Sequence, residues 1–251
     1  MKIYTYYENI NFPYQNELIE LWKISWSRQG YEPIVLNLED AKKHPYFNTL
    51  YKEIQSFAIQ LGNHKINRYG MSCWLRWLAY ATQTEERFYV SDYDVINVNF
   101  PITEPNDKLH LIDSACPCFA SGTPKQFENL CRAFIEITNE RLEILKTQTV
   151  YNHDQEFFQY NLIPQYNDSA EDLRNQYNIL MTRDRTSIGC FYDPILKAPL
   201  HHNDSIKSNQ VYHIAHTNIE NLKTKYPQYS NLNSNKLRVD VVKMLLNDHI
   251  S

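Results

Sequence analysis

Two spacings of apolar residues alternate from the first residues onward. Lys2 to Tyr7 is short, β-branched and aromatic and predicts a strand. Leu18, Leu21, Trp22 and Trp26 behind Glu17 recur at helical spacing and predict a helix that Gly30 closes. Pro33-Ile34-Val35-Leu36 predicts a second strand, so the chain opens β-α-β. Residues 51 to 59 predict a further helix, and residues 71 to 81, with Trp74, Leu75, Trp77 and Leu78, predict a strongly apolar one. Phe88-Tyr89-Val90 reads as a buried strand that runs directly into Ser91-Asp92-Tyr93-Asp94, and residues 109 to 113 read as another.

Thr123-Pro124-Lys125-Gln126 has the form of a capping box with proline at the first helical position. Phe127, Leu130, Cys131, Phe134, Ile137 and Leu145 behind it predict a long amphipathic helix over 124 to 146. From Tyr151 onward Asn, Asp, Tyr and His accumulate with scattered prolines, which predicts long irregular loops, closed by helices over 218 to 226 and 237 to 247. No internal repeat or Gly/Ser linker divides the chain. The expectation is a single α/β domain over 1–251, an open mixed sheet flanked by helices with a loop-rich C-terminal part.

Composition narrows the chemistry. Five glycines in 251 residues, the nearest pair being Gly62 and Gly70, exclude G-x-G-x-x-G, G-x-x-x-x-G-K-[ST] and G-x-S-x-G. A Rossmann dinucleotide site, a P-loop and a nucleophile elbow are thereby disfavoured. A formal charge of −4 without a Lys/Arg run argues against nucleic acid as a partner. Five cysteines without a C-x-x-C pair encode neither a disulfide framework nor a zinc ribbon. The start M-K-I-Y-T-Y-Y-E-N lacks an apolar leader core, and no stretch approaches 18 apolar residues, so a soluble cytoplasmic protein is expected, with peripheral membrane contact left open.

Asp92-Tyr93-Asp94 stands where open α/β sheets place ligand crevices, at the carboxyl end of a buried strand. On an extended segment, acids at i and i+2 point the same way and can reach one Mg²⁺ or Mn²⁺, hard ions that take carboxylate and phosphate oxygens. The bland alternative is a solvated turn.

The stretch from Arg68 to Val95, R-Y-G-M-S-C-W-L-R-W-L-A-Y-A…F-Y-V-S-D-Y-D-V, resembles the core of D-x-D glycosyltransferases of the GT-A fold, particularly those related to mannosyltransferases and capsular-polysaccharide transferases. Ser72, Arg76, Trp77, Asp92 and Asp94 match their S-D-x-x-R-[YW]-x-x-L helix and D-x-D. Cys73 replaces the acidic residue after the serine, and Glu86-Arg87-Phe88-Tyr89 replaces the usual G-G-[IV]-Y. The resemblance implies a Rossmann-like GT-A domain, with residues 1–115 as the donor- and metal-binding half and 116–251 as the acceptor side. It implies Asp94 as a metal ligand, Asp92 on the ribose or at the metal, and Arg68 or Arg76 on the donor phosphates, with Ser72 on the donor side. Arg76 alternatively only pairs with a carboxylate.

A third metal ligand is sought in Val211-Tyr212-His213-Ile214-Ala215-His216, where the two histidines diverge and His216 is favoured. His201-His202 is a loop pair with no partner in view. Asn152-His153-Asp154-Gln155 is similar to an N-x-D-Q element of such transferases. Asp154 either takes the acceptor proton or caps a helix, with Asp113 in reserve as the base. Tyr6 or Tyr7, closing the first strand, are candidates for the donor base, since aromatic faces stack on bases and sugars. The expected function is metal-dependent transfer of a sugar from a nucleotide-diphosphate donor to a glycan or glycolipid hydroxyl. A haloacid-dehalogenase-type phosphohydrolase and a non-catalytic nucleotide- or glycan-binding module are the alternatives.

Overall fold

The computed structural model describes residues 1–9, 13–104, 106–112, 117–182, 188–189, 192–193, 198–199 and 211–249. Along them run β1 (Lys2–Tyr6), α1 (Gln15–Arg28), β2 (Glu32–Leu36), α2 (Leu38–Lys42), α3 (Phe47–Gln60), α4 (Arg68–Ala81), β3 (Phe88–Ser91) and β4 (Val95–Asn97). There follow β5 (Leu109–Leu111), β6 (Phe119–Gly122), α5 (Pro124–Gln148), α6 (Asp154–Leu162), α7 (Ala170–Gln176) and β7 (Ile179–Met181). Two-residue strands β8 (Ile188–Gly189), β9 (Tyr192–Asp193) and β10 (Ala198–Pro199) precede β11 (Val211–His213), α8 (His216–Lys225) and α9 (Ser234–Asp248).

The six-stranded sheet has the order β2-β1-β3-β6-β5-β7. Strands β2, β1 and β3 pair in parallel, β6 runs antiparallel to β3 and β5, and β5 pairs in parallel with β7. Strand β6 is therefore the one reversed strand in an otherwise parallel sheet. A smaller sheet, β4-β11-β8, branches off where β3 ends.

Alternation along the strands decides the layering, because successive side chains on a strand point to opposite faces. Tyr4, Phe88 and Val90 enter one apolar cluster with Trp74, Trp77, Phe127 and Phe134 of α4 and α5, while Ile3 and Tyr89 enter a second with Trp22 and Trp26 of α1 and Val242 of α9. The expected α/β architecture, a mixed sheet with helices on both faces, is what the chain adopts. α5 begins as its sequence predicts: Thr123 Oγ1 accepts from Gln126 N–H at 3.2 Å, and Gln126 Oε1 accepts from Thr123 N–H at 2.9 Å.

The C-terminal part differs from a run of loops. α6 and α7 occupy much of 154–176, and Phe157 and Phe158 of α6 close on Phe134 with ring centroids at 4.7 and 5.9 Å. α2 likewise went unread, a five-residue helix capped by Asn37. Strand β3 pairs with β6 and β4 with β11, so the halves divided at residue 115 share both sheets. No described helix is long and apolar enough to cross a membrane.

Candidate active site

Between β3 and β4 the chain does not continue as an extended segment; it turns through Asp92-Tyr93-Asp94. Main-chain bonds fix that turn. Asp92 N–H donates to Cys118 C=O at 2.8 Å, Val95 N–H to Asp92 C=O at 3.0 Å, and Ile214 N–H to Asp94 C=O at 2.8 Å. The last bond extends the β4–β11 ladder, whose register sets His213 opposite Val95. His213 Nε2 thereby lies 3.5 Å from Asp94 Oδ1. One ligand atom each from Asp92, Asp94 and His213 falls within 4.8 Å of the others.

Each aspartate also holds an arginine. Arg76 of α4 donates Nη1 to Asp92 Oδ1, and Nε and Nη2 to Asp154 Oδ2 at 3.1 and 2.8 Å. Trp77 Nε1 donates to the same Asp154 oxygen at 2.6 Å. Arg76 and Asp154 are closed from water, with side-chain exposures of 10 % and 3 %, whereas Asp92 keeps 29 %. Arg238 of α9 donates Nη2 to Asp94 Oδ2 and Nε to Ile214 C=O at 3.0 Å.

The two acids of the turn titrate apart. Burial, reinforced by Asp94 and only partly offset by Arg76, pushes Asp92 up to about 6. Burial acts on Asp94 too, but His213 and Arg238 outweigh it and hold the group at about 2. Burial opposes the charge on Arg76, yet Asp154 and Asp92 raise its pKa well above the ordinary value.

Of the residues singled out from sequence, Asp92, Asp94, Arg76 and Asp154 converge. Asp154 is the first residue of α6, and His153 takes the cap position, its N–H donating to Glu156 Oε2 at 2.9 Å. His213, not the favoured His216, stands beside Asp94: His216 opens α8 with its ring 3.8 Å from Glu220 and its side chain 58 % exposed. The cause is the β4–β11 register, which ends at His213. Tyr6 and Arg68 meet at Glu8, the tyrosine hydroxyl donating to Oε1 at 2.6 Å and Arg68 Nε to Oε2 at 3.0 Å. Tyr7 sets its ring edge-on to Tyr93 at 5.9 Å between centroids. Ser72 Oγ donates to its own helix, to Tyr69 C=O at 2.6 Å. At Cys73 burial pushes the thiol up, which removes it as a thiolate. Asp113, His201 and His202 lie outside the described residues.

Arg238 went unread. Its signal is its position on α9, where Arg238 and Val242 lie four residues apart on a buried stripe, so an arginine interrupts an apolar face.

The donor set fits a hard divalent cation. Its two carboxylates suit Mn²⁺ or Mg²⁺, the imidazole adds a nitrogen ligand of the kind transition metals take, and the Asp94 oxygen facing His213 is not the one Arg238 holds.

No family model matches the chain, and no curated protein matches it. Among solved structures it is similar to one described as a crystal structure of a glycosyltransferase involved in the glycosylation of the major capsid of PBCV-1, at 12 % identity and a TM-score of 0.45, covering 96 % of this chain and 98 % of that one.

Proposed function

We propose that the chain is a metal-dependent glycosyltransferase, moving a sugar from a nucleotide-diphosphate donor to a hydroxyl of a glycan or glycolipid. The observation that carries this reading is the convergence of Asp92, Asp94 and His213 at the carboxyl end of β3, beside a buried arginine. Those three side chains would hold a Mn²⁺ or Mg²⁺ ion, which would supply a Lewis acid for the departing diphosphate. Arg76, fixed by Asp154, presents a permanent positive charge at the same edge. The acceptor hydroxyl attacks the anomeric carbon and loses its proton to a carboxylate. With three donors on its Oδ2, Asp154 acts in this reading through Arg76, and Asp113 takes the place of the base. In this reading Tyr6 and Arg68, which share Glu8 as a partner, contact the donor. A phosphohydrolase using Asp92 as nucleophile is the alternative reading, and it predicts a phosphoaspartate at that residue.

The test is a thermal-shift panel of UDP-, GDP-, CMP- and ADP-compounds with and without Mn²⁺, followed by transfer assays in EDTA. A ligand at a hundred times its dissociation constant adds about 2.7 kcal/mol of apparent stability. In a chain of this size that is a rise of roughly 5–10 °C. The expected result is a shift that needs both nucleotide and metal, is lost in His213→Ala and persists in His216→Ala. Full transfer in EDTA, wild-type behaviour of Asp94→Ala, or a phosphoaspartate trapped at Asp92 would each overturn the proposal.

A further inference from the structure

We infer that Arg238 is a resident counter-charge of the acidic site, which makes capture of a divalent cation conditional on an accompanying diphosphate group. This rests on the reading of Asp92, Asp94 and His213 as cation ligands.

The guanidinium of Arg238 is pinned at two points, on Asp94 Oδ2 and on the carbonyl of Ile214, the residue that follows His213. Its side chain is 10 % exposed and that of Asp94 13 %. Swinging away would strand a buried carboxylate and a buried carbonyl together, so the charge stays where it is. Arg76 is pinned likewise between Asp92 and Asp154. Guanidinium groups do not deprotonate in proteins.

With His213 neutral, as an imidazole that binds a metal must be, three carboxylates facing two fixed guanidiniums leave one excess negative charge. A dication entering alone converts it into one excess positive charge, in a setting where little water screens it. A diphosphate carries enough negative charge to reverse that balance, and its oxygens complete the ion's coordination. A cation therefore binds weakly alone and strongly as its diphosphate complex. Removing the charge at position 238 relaxes this dependence, because Asp94 is then free to hold the cation unaided.

The experiment uses the full chain and equilibrium dialysis, reading the Mn²⁺ retained when it is supplied alone or as its complex with inorganic pyrophosphate. The wild-type chain is expected to prefer the complex at least tenfold. Arg238→Gln keeps an amide donor and loses the charge; it is expected to bind Mn²⁺ alone at least tenfold more tightly than the wild type and to lose most of the preference. Arg238→Lys restores the charge and is expected to restore the preference. Equal retention of both forms by the wild type, an unchanged preference in Arg238→Gln, weaker binding of Mn²⁺ alone by that variant, or loss of the preference in Arg238→Lys would each overturn the inference while leaving the cation site standing. If Arg238→Gln fails to fold, the wild-type and Lys measurements still decide. Retention of neither form by the wild type sinks the metal reading, and the inference with it.

Discussion

Replacing Asp154 by alanine separates an anchoring role from that of a solvated base. Its Oδ2 accepts from Arg76 Nε at 3.1 Å, Arg76 Nη2 at 2.8 Å and Trp77 Nε1 at 2.6 Å. The variant leaves the guanidinium, only 10 % exposed, facing Asp92 alone. Removing one partner of a buried ion pair costs about 3–5 kcal/mol. Stranding the indole N–H adds about 1–3 kcal/mol, although coupled terms do not simply add. We therefore expect Asp154→Ala to lose about 4 kcal/mol or more. At roughly 2–4 °C per kcal/mol this lowers the melting temperature by about 8–16 °C. Asp154→Asn keeps the shape and an acceptor oxygen and should fall between that variant and the wild type. Urea denaturation followed by tryptophan fluorescence checks both. If Asp154→Ala unfolds within about 0.5 kcal/mol of the wild type, the size expected of an unremarkable surface change, the anchoring argument is wrong.

Gly70 shows the same neighbourhood from the backbone side: a Cβ there falls 2.1 Å from the Asn152 carbonyl oxygen and 2.9 Å from Ile66 Cγ2. Gly70→Ala should push α4 off the segment leading into Asp154 and destabilise by about 1–3 kcal/mol, read as a lower melting temperature; an unchanged one would deny the close approach. At the other end of β1, burial works to raise the pKa of Glu85, but its bonds with Lys2 and Tyr4 win and lower it below 4.5. A depressed acid contributes stability above its unfolded pKa and loses it as pH falls through the folded value. Glu85→Gln should thus be less stable than wild type at pH 7, with the gap closing in denaturation measured at increasingly acid pH below about 4.5. A gap independent of pH would count against the ionised pair.

Local rules made the first half of the chain legible. β1, α1, β2, α4 and β3 follow from period alone, and α5 from a capping box that forms as written. α6 was legible only at its start, through Asp154 as a helix cap, because its apolar residues are few and partly adjacent. Phe157 and Phe158 gain their stability from Trp74 and Trp77, at centroid distances of 6.3 and 5.7 Å, and from Phe134, contacts that no local pattern announces. Asp92 and Asp94 were readable as an acidic pair at a strand end. The choice between His213 and His216 was not, since it depends on how β11 registers against a strand more than a hundred residues earlier in the chain. Arg238 posed the same difficulty: its partner Asp94 is remote in sequence, and only an arginine on an apolar helix stripe hinted at it.

Strand β3 belongs to the six-stranded sheet and β4 to the three-stranded one, and the aspartate turn carries the chain from one to the other. Each carboxylate is thereby referenced to a different frame. Asp92 is tied through Cys118 to the strand neighbouring β3, while Asp94 is tied through Ile214 and Arg238 to β11 and α9. The distance between them gauges how one sheet is seated on the other. On the proposed reading of this turn as a cation site, core substitutions that tilt either sheet by a fraction of an ångström are expected to register first as altered cation affinity, well before the chain unfolds, even when they touch neither aspartate.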